Sequence, residues 1–500
     1  MNDHQDVRTL ARRVLLPGFV GTTAPDWVRR EVADGLAGVV LFGRNVVHDE
    51  QVAALTTTLR AERDDVVVAI DEEGGDVTRL DVSTGSVLPG NLALGVVGDA
   101  GLTRRVAAGL GRRLATCGVT LDLAPCADLT LTLDDPIIGV RAFGADPDAV
   151  AEQVAAFVDG LQGAGVAACA KHFPGHGAAT ADSHLALPVL PRTEHQLRDG
   201  ELRPFRAAVQ AGVRAVMTGH LVVPDWGTDP ATLNRRAVED VLRGELGFTG
   251  AVITDALEMG AVAGRLGDRA GLAEAAVRAL LAGADLLCLG GELADESVVH
   301  AVVEALVAAV RSGRLPEQRL VEAADRARGL GTRPGARNDS PPDDLPALGL
   351  AAARRALRVH GEPRLPSPPL VVDVVVPPSI AVGAVPWGLG PHLAELLPDT
   401  RVLRVEPDVP PDRITAAAEG RPVVLVTRDA HRHPEVLDLT RALTRTDTVL
   451  VHVETGVPGP TTSGVTARID THGGSYASLR AAAELLAAHH TTPRDRRTSR

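Results

Sequence analysis

The chain has 500 residues, 45% apolar and 23% charged, a balance that excludes wholesale disorder. A net charge of −13, and no apolar run near the ~18 residues a bilayer span needs, argue against nucleic-acid or membrane partners. With three Trp, one Tyr and seven Phe, it cannot pave a long cleft for a polymer. The opening segment MNDHQDVRTLARRVLLPGF has no apolar signal core, so a cytoplasmic location is expected. Apolar, β-branched runs at 15–20, 38–42, 66–70, 119–123, 167–171, 215–218, 251–254 and 284–289 predict eight strands. Helical stretches rich in Ala, Leu, Arg and Glu, such as 146–160 and 235–245, fall between most of them. Strands apolar on both faces, alternating with helices, predict an α/β fold with a parallel sheet. Their number and spacing fit a (β/α)8 TIM-like barrel over residues 1–332, with a doubly wound open sheet as the rival. Proline-rich stretches at 333–346 and 363–369 enclose one helical segment, so 333–369 reads as a linker. Four more strands, at 371–376, 402–405, 423–427 and 449–453, predict a smaller C-terminal α/β sandwich domain over 370–490, and 491–500 reads as a basic tail. Cys117, Cys126, Cys169 and Cys288 stand singly in apolar surroundings, as buried free thiols do.

In a parallel barrel the chemistry gathers at the C-terminal ends of the strands. Here the apolar runs end repeatedly in polar residues: Arg44 and Asn45, Asp71, Asp128, Lys171 and His172, His220, and Asp255. Any one of these could cap a helix; a ring of them indicates a site. Lys171 is the only lysine among 51 basic residues, which points to a local need for a compact ammonium that a guanidinium cannot meet. It opens the segment Lys-His-Phe-Pro-Gly-His-Gly at 171–177. His172 and His176 have the four-residue spacing of zinc ligands on a helix, but the Phe-Pro-Gly between them forbids that helix. Asp182 and His184, two apart, face the same way in an extended loop, and a carboxylate beside an imidazole makes a general acid/base pair. Asp71-Glu72-Glu73-Gly74-Gly75-Asp76 suits a hydroxyl-rich ligand or Mg²⁺; Lys171, Arg44 and Arg141 would already neutralise those carboxylates, so no metal and no cofactor are expected.

The barrel half resembles family 3 of the glycoside hydrolases, specifically its β-N-acetylglucosaminidase branch. The stretches that carry the resemblance are GVVLFGRN (38–45), AIDEEGG (69–75), PIIGVRAFGADP (136–147), AKHFPGHG (170–177) with Asp-Ser-His at 182–184, VMTGHL (216–221) and GFTGAVITDALEMGAV (247–262). The resemblance implies Asp255 as nucleophile, His184 as general acid/base and Asp182 as its orienting partner. It further implies that Asp71, Arg141, Lys171 and His172, with Arg79 and His220, bind the sugar hydroxyls. The family pattern commonly has Gln and Arg where this chain has Glu72 and Asp76, and Asp-Arg-Ser where it has Val140-Arg141-Ala142; the residues assigned to bond cleavage are unchanged. The implied activity is that of a retaining enzyme acting on a small-molecule glycoside, through a covalent glycosyl-enzyme on Asp255. Inorganic phosphate is a candidate acceptor beside water, because a neutral imidazole base does not repel it as a carboxylate would, and Arg44 and Arg141 would help hold it. The alternatives are a β-glucosidase of the same family and a non-catalytic sugar-binding protein.

Overall fold

The structure is a computed structural model and describes residues 6–179, 187–259, 262, 269–290, 295–332, 344–377, 382, 386, 388–460 and 462–490. Eight strands occupy the first part of the chain: β1 (Leu15–Pro17), β2 (Gly38–Leu41), β3 (Val67–Ile70), β4 (Leu121–Asp122), β5 (Ala167–Phe173), β6 (Ala215–Thr218), β7 (Ala251–Thr254) and β8 (Leu287–Leu289). Strands β2 to β7 pair in sequence order as a six-stranded parallel sheet, and β1 pairs with β8. The sheet curls: the Thr254 amide donates to the Leu286 carbonyl at 3.0 Å, bringing β8 against β7, and the Ala37 amide donates to the Arg12 carbonyl at 3.0 Å beside β1 and β2.

Alternation along the strands explains why they read as unbroken apolar runs. Val39, Leu41, Val68 and Ile70 belong to the core shared with the surrounding helices. Val40, Val67, Ala69, Ala167, Cys169, Ala215, Met217 and Ala251 fill the concave side. That second set is mostly small, as the inside of a curled sheet requires. All four cysteines are free and buried, as the sequence predicts.

Between β5 and β6 the register slips from Ala170 to Phe173, so Lys171 and His172 sit on an irregularity in the ladder. Such bulges re-aim side chains at the rims of sheets. The chain then turns through Pro174–Gly177 without forming a helix. Gly177 makes the turn possible, since a Cβ there would stand 1.6 Å from the Leu129 carbonyl oxygen.

The second sheet comprises β9 (Arg358–Gly361), β10 (Leu370–Val374), β11 (Arg401–Val405), β12 (Val423–Thr427), β13 (Leu450–Glu454) and β14 (Ala467–Asp470). Its order is β11-β10-β12-β13-β14-β9, parallel except for β9. The predicted linker helix is present at Leu345–Ala356, and the same segment also supplies β9 as an antiparallel edge. Among the described residues no helix is long and apolar enough to cross a membrane.

Candidate active site

The C-terminal ends of β3, β4 and β5 converge on a chain of buried charges. Lys171 extends its ammonium to Asp71 Oδ1 at 2.5 Å and Glu73 Oε1 at 2.9 Å. Arg141 clamps the same Glu73 with both ends of its guanidinium, Nη2 to Oε1 at 2.7 Å and Nε to Oε2 at 3.1 Å. Nη2 of Arg141 also lies 3.4 Å from Nε2 of His172, whose Nδ1 is 2.7 Å from Asp128 Oδ2. Backbone amides of His172 and His176 donate to Asp128 as well. Four of the sequence-predicted sugar-binding residues (Asp71, Arg141, Lys171, His172) are thus brought together. Glu73 and Asp128 join them, as partners that spacing alone could not assign.

The electrostatics follow from burial against pairing. Burial alone would raise Glu73, but Arg141 and Lys171 together hold its carboxyl far below the usual range. Asp128 is likewise penalised by burial, yet His172 and the amide of His176 keep it ionised, at about 2. Burial lowers His176 to about 4 despite the nearby Asp128 charge, so its ring is neutral at pH 7. Beneath Asp71 the pattern reverses. Glu72 accepts from the amides of Arg79 at 2.7 Å and Leu80 at 2.9 Å, but burial and then the Asp81 charge push its carboxyl up to about 7. Asp122, accepting from the Glu72 amide at 3.0 Å, is raised well above its ordinary value by burial.

Asp255 follows β7 directly; its amide donates to the Thr218 carbonyl at 3.1 Å and its Oδ1 accepts from the Ala256 amide at 2.8 Å. His220 is fully buried, with Nδ1 2.8 Å from Thr232 Oγ1 and Nε2 3.0 Å from the Ala256 carbonyl. Its ring therefore braces the Asp255 loop. Arg79 approaches Asp71 Oδ2 at 3.8 Å. Arg44 donates to the carbonyls of Phe19 and Gly290, where it ties the end of β2 to the segment after β8. Asp182 and His184 lie outside the described residues.

Of the two donor sets with metal-like spacing among the described residues, Glu31, Glu296 and His300 lie elsewhere, and Cys126, Asp128 and His172 belong to this site, with ligand atoms within 4.8 Å of one another. Those groups already serve each other, the Cys126 thiol donating to Asp128 Oδ2 at 3.2 Å.

Residues 21–330 match the N-terminal domain of glycosyl hydrolase family 3. The chain belongs to that family. Curated β-hexosaminidases from Thiobacillus denitrificans and Stenotrophomonas maltophilia are each 38% identical to it, over 292 and 302 residues; the matches cover 56% and 58% of this chain and 80% and 87% of those proteins. A solved family 3 β-N-acetylglucosaminidase from Paenibacillus sp. superposes with a TM-score of 0.87 at 31% identity, covering 98% of both chains. The β-N-acetylhexosaminidase structure from Beutenbergia cavernae aligns with 66% of this chain and 99% of its own, at 27% identity and a TM-score of 0.58. Family 3 membership makes this a glycoside hydrolase, and the chain of buried charges lies on its family 3 domain.

Proposed function

We propose that the protein is a retaining β-N-acetylglucosaminidase that removes terminal N-acetylglucosamine from short glycosides, such as cell-wall or chitin fragments. In this reading residues 1–332 form a closed (β/α)8 barrel, and residues 370–490 form a separate domain. The observation that carries the proposal is the chain Asp71–Lys171–Glu73–Arg141–His172–Asp128, on the strand ends of the same sheet as Asp255. Such a chain offers oriented donors and acceptors to sugar hydroxyls, and each of its side chains is already held in place by its neighbours. The likeness to the Paenibacillus enzyme, across nearly the whole of both chains, supports the N-acetylglucosamine preference.

Asp255 attacks the anomeric carbon while His184 protonates the departing glycosidic oxygen, so one C–O bond forms as the other breaks. Asp182 orients the imidazole. In the second half, neutral His184 takes a proton from the acceptor, whose oxygen displaces the Asp255 carboxylate and restores the original configuration. Phosphate is proposed as an acceptor beside water, since a neutral base spares it a repulsion of ~1 kcal/mol or more at close range. Arg141 stands in the site, though engaged with Glu73.

A chromogenic N-acetylglucosaminide assayed beside the matching glucoside tests the substrate class. The expected result is strong preference for the acetamido sugar; faster turnover of the glucoside would instead indicate a β-glucosidase. No turnover of either would leave a sugar-binding protein. Product analysis at millimolar phosphate tests the acceptor: β-configured sugar 1-phosphate is expected, and free sugar alone would remove that part of the proposal.

A further inference from the structure

The geometry points to Arg428 as a positioning residue that acts through Asp76, so that the second domain sets the loop carrying Asp71 and Glu73. The role assigned to Arg428 rests on the glycosidase reading.

The loop after β3 presents Asp71 and Glu73 to Lys171, then doubles back through Gly74 and Gly75, both at positive φ (76° and 65°). The Glu73 amide donates to the Val77 carbonyl at 3.1 Å and closes the turn. Asp76 stands at its tip, buried, and the other domain supplies a partner to each of its carboxylate oxygens. Arg428, directly after β12, places Nη1 2.5 Å from Asp76 Oδ2. The amide of Gly474, in the turn after β14, donates to Asp76 Oδ1 at 2.8 Å. Arg428 is itself steadied by Asp429 at 3.8 Å. The same loop makes a second crossing: Arg79, 3.8 Å from Asp71, donates through Nη1 to the Val382 carbonyl at 3.3 Å.

A buried ion pair is a poor way to add stability, because desolvating two charges costs about as much as their attraction returns. It does fix position, since both buried charges are stranded unless the guanidinium and the carboxylate meet. Here that arrangement lies three residues from Glu73 and five from Asp71. An error at Asp76 is passed along a short, closed turn to two of the three carboxylates in the charge chain. The second domain is therefore a working part of the sugar site and not merely an appended body.

The test uses the full chain and four variants: Arg428→Met, Asp76→Asn, their combination, and Arg355→Met as a control. Arg355 lies 3.0 Å from Asp99, at an exposed contact outside the sugar site. With the chromogenic N-acetylglucosaminide, each of the first two is expected to lower kcat/KM about tenfold or more, chiefly through KM. The double variant is expected to lose no more than either single, as a coupled pair should. Arg428→Lys is expected to restore part of the loss, and Arg355→Met to behave as wild type. If Arg428→Met does not fold, Asp76→Asn, which keeps an acceptor for Gly474, carries the test. Folded variants with wild-type KM and kcat, or losses that simply add, would overturn the role of Arg428. An inactive wild type would overturn the glycosidase reading instead. Hydrogen exchange then decides the positioning role separately: faster exchange confined to the amides of 72–80 in Asp76→Asn supports it, and unchanged exchange there overturns it.

Discussion

The side chain of Lys171 is 2% exposed and holds two carboxylates apart at 2.5 and 2.9 Å. A tetrahedral ammonium can serve both; a planar guanidinium reaching the same point must displace one of them. Lys171→Arg is expected to lower kcat/KM about a hundredfold or more while melting cooperatively; kinetics beside a thermal melt check it. Asp255→Asn is expected to remove turnover by about a thousandfold or more in a folded protein, and retention of a tenth of the activity would reject it as nucleophile. Glu72 gives a prediction in pH. Its folded pKa, about 7, lies above its ordinary value, so the folded chain keeps a proton that the unfolded chain has already released. The stability this group contributes is full at pH 4 and is lost as the pH rises to 7, a change of order 3 kcal/mol. Glu72→Gln should flatten that dependence, seen as a melting-temperature gain over wild type that grows between pH 5 and 7.5. Lys171 was legible in the sequence because it is alone in its kind. Glu73 and Asp128 stood out as polar residues near strand ends, but their partners and the Asp76–Arg428 pair were not legible, because those partners lie about 40 to 350 residues away.

At the scale of elements, strands apolar on both faces announced themselves. β6, β7 and β12 begin and end where the sequence predicts, and β2, β3 and β10 differ by one or two residues. β4 is shorter than the predicted 119–123, for Asp122 turns its side chain to the Glu72 amide and Pro125 follows closely. Two strands escaped the sequence altogether. β9 is exposed along its whole length, and β14 carries the buried Arg468–Asp470 pair, so neither shows an apolar run. The loop after β3 was legible as glycine-rich, but its shape depends on a close approach: a Cβ on Gly75 would stand 2.3 Å from the Cα of Gly90. That contact is backbone on backbone, and φ there is +65°. Gly75→Ala is therefore expected to cost more in kcat/KM than in overall helicity, measured by kinetics and circular dichroism together.

For the molecule as a whole, cross-domain contacts gather around the β3 and β4 loops: Arg428 with Asp76, the Ala477 amide with the Ser86 carbonyl, and His431 with the Leu133 carbonyl. A second sheet after the proline-rich segment was legible, but its contacts with these loops were not, since no local pattern encodes which loop meets which. The four thiols are buried throughout, and burial raises Cys117 to about 12. A thiol reagent is expected to find almost none in the native protein and four in denaturant; rapid native labelling would contradict the burial. The lone lysine has a different consequence. Reducing sugars slowly condense with unprotonated amines, and a hydrolase working in its own released sugar would be exposed to that damage for its lifetime. Here the only ε-amine is sealed from solvent, and although burial opposes its charge, Asp71 and Glu73 keep it protonated. The arginine-only surface therefore leaves its product no lysine to glycate.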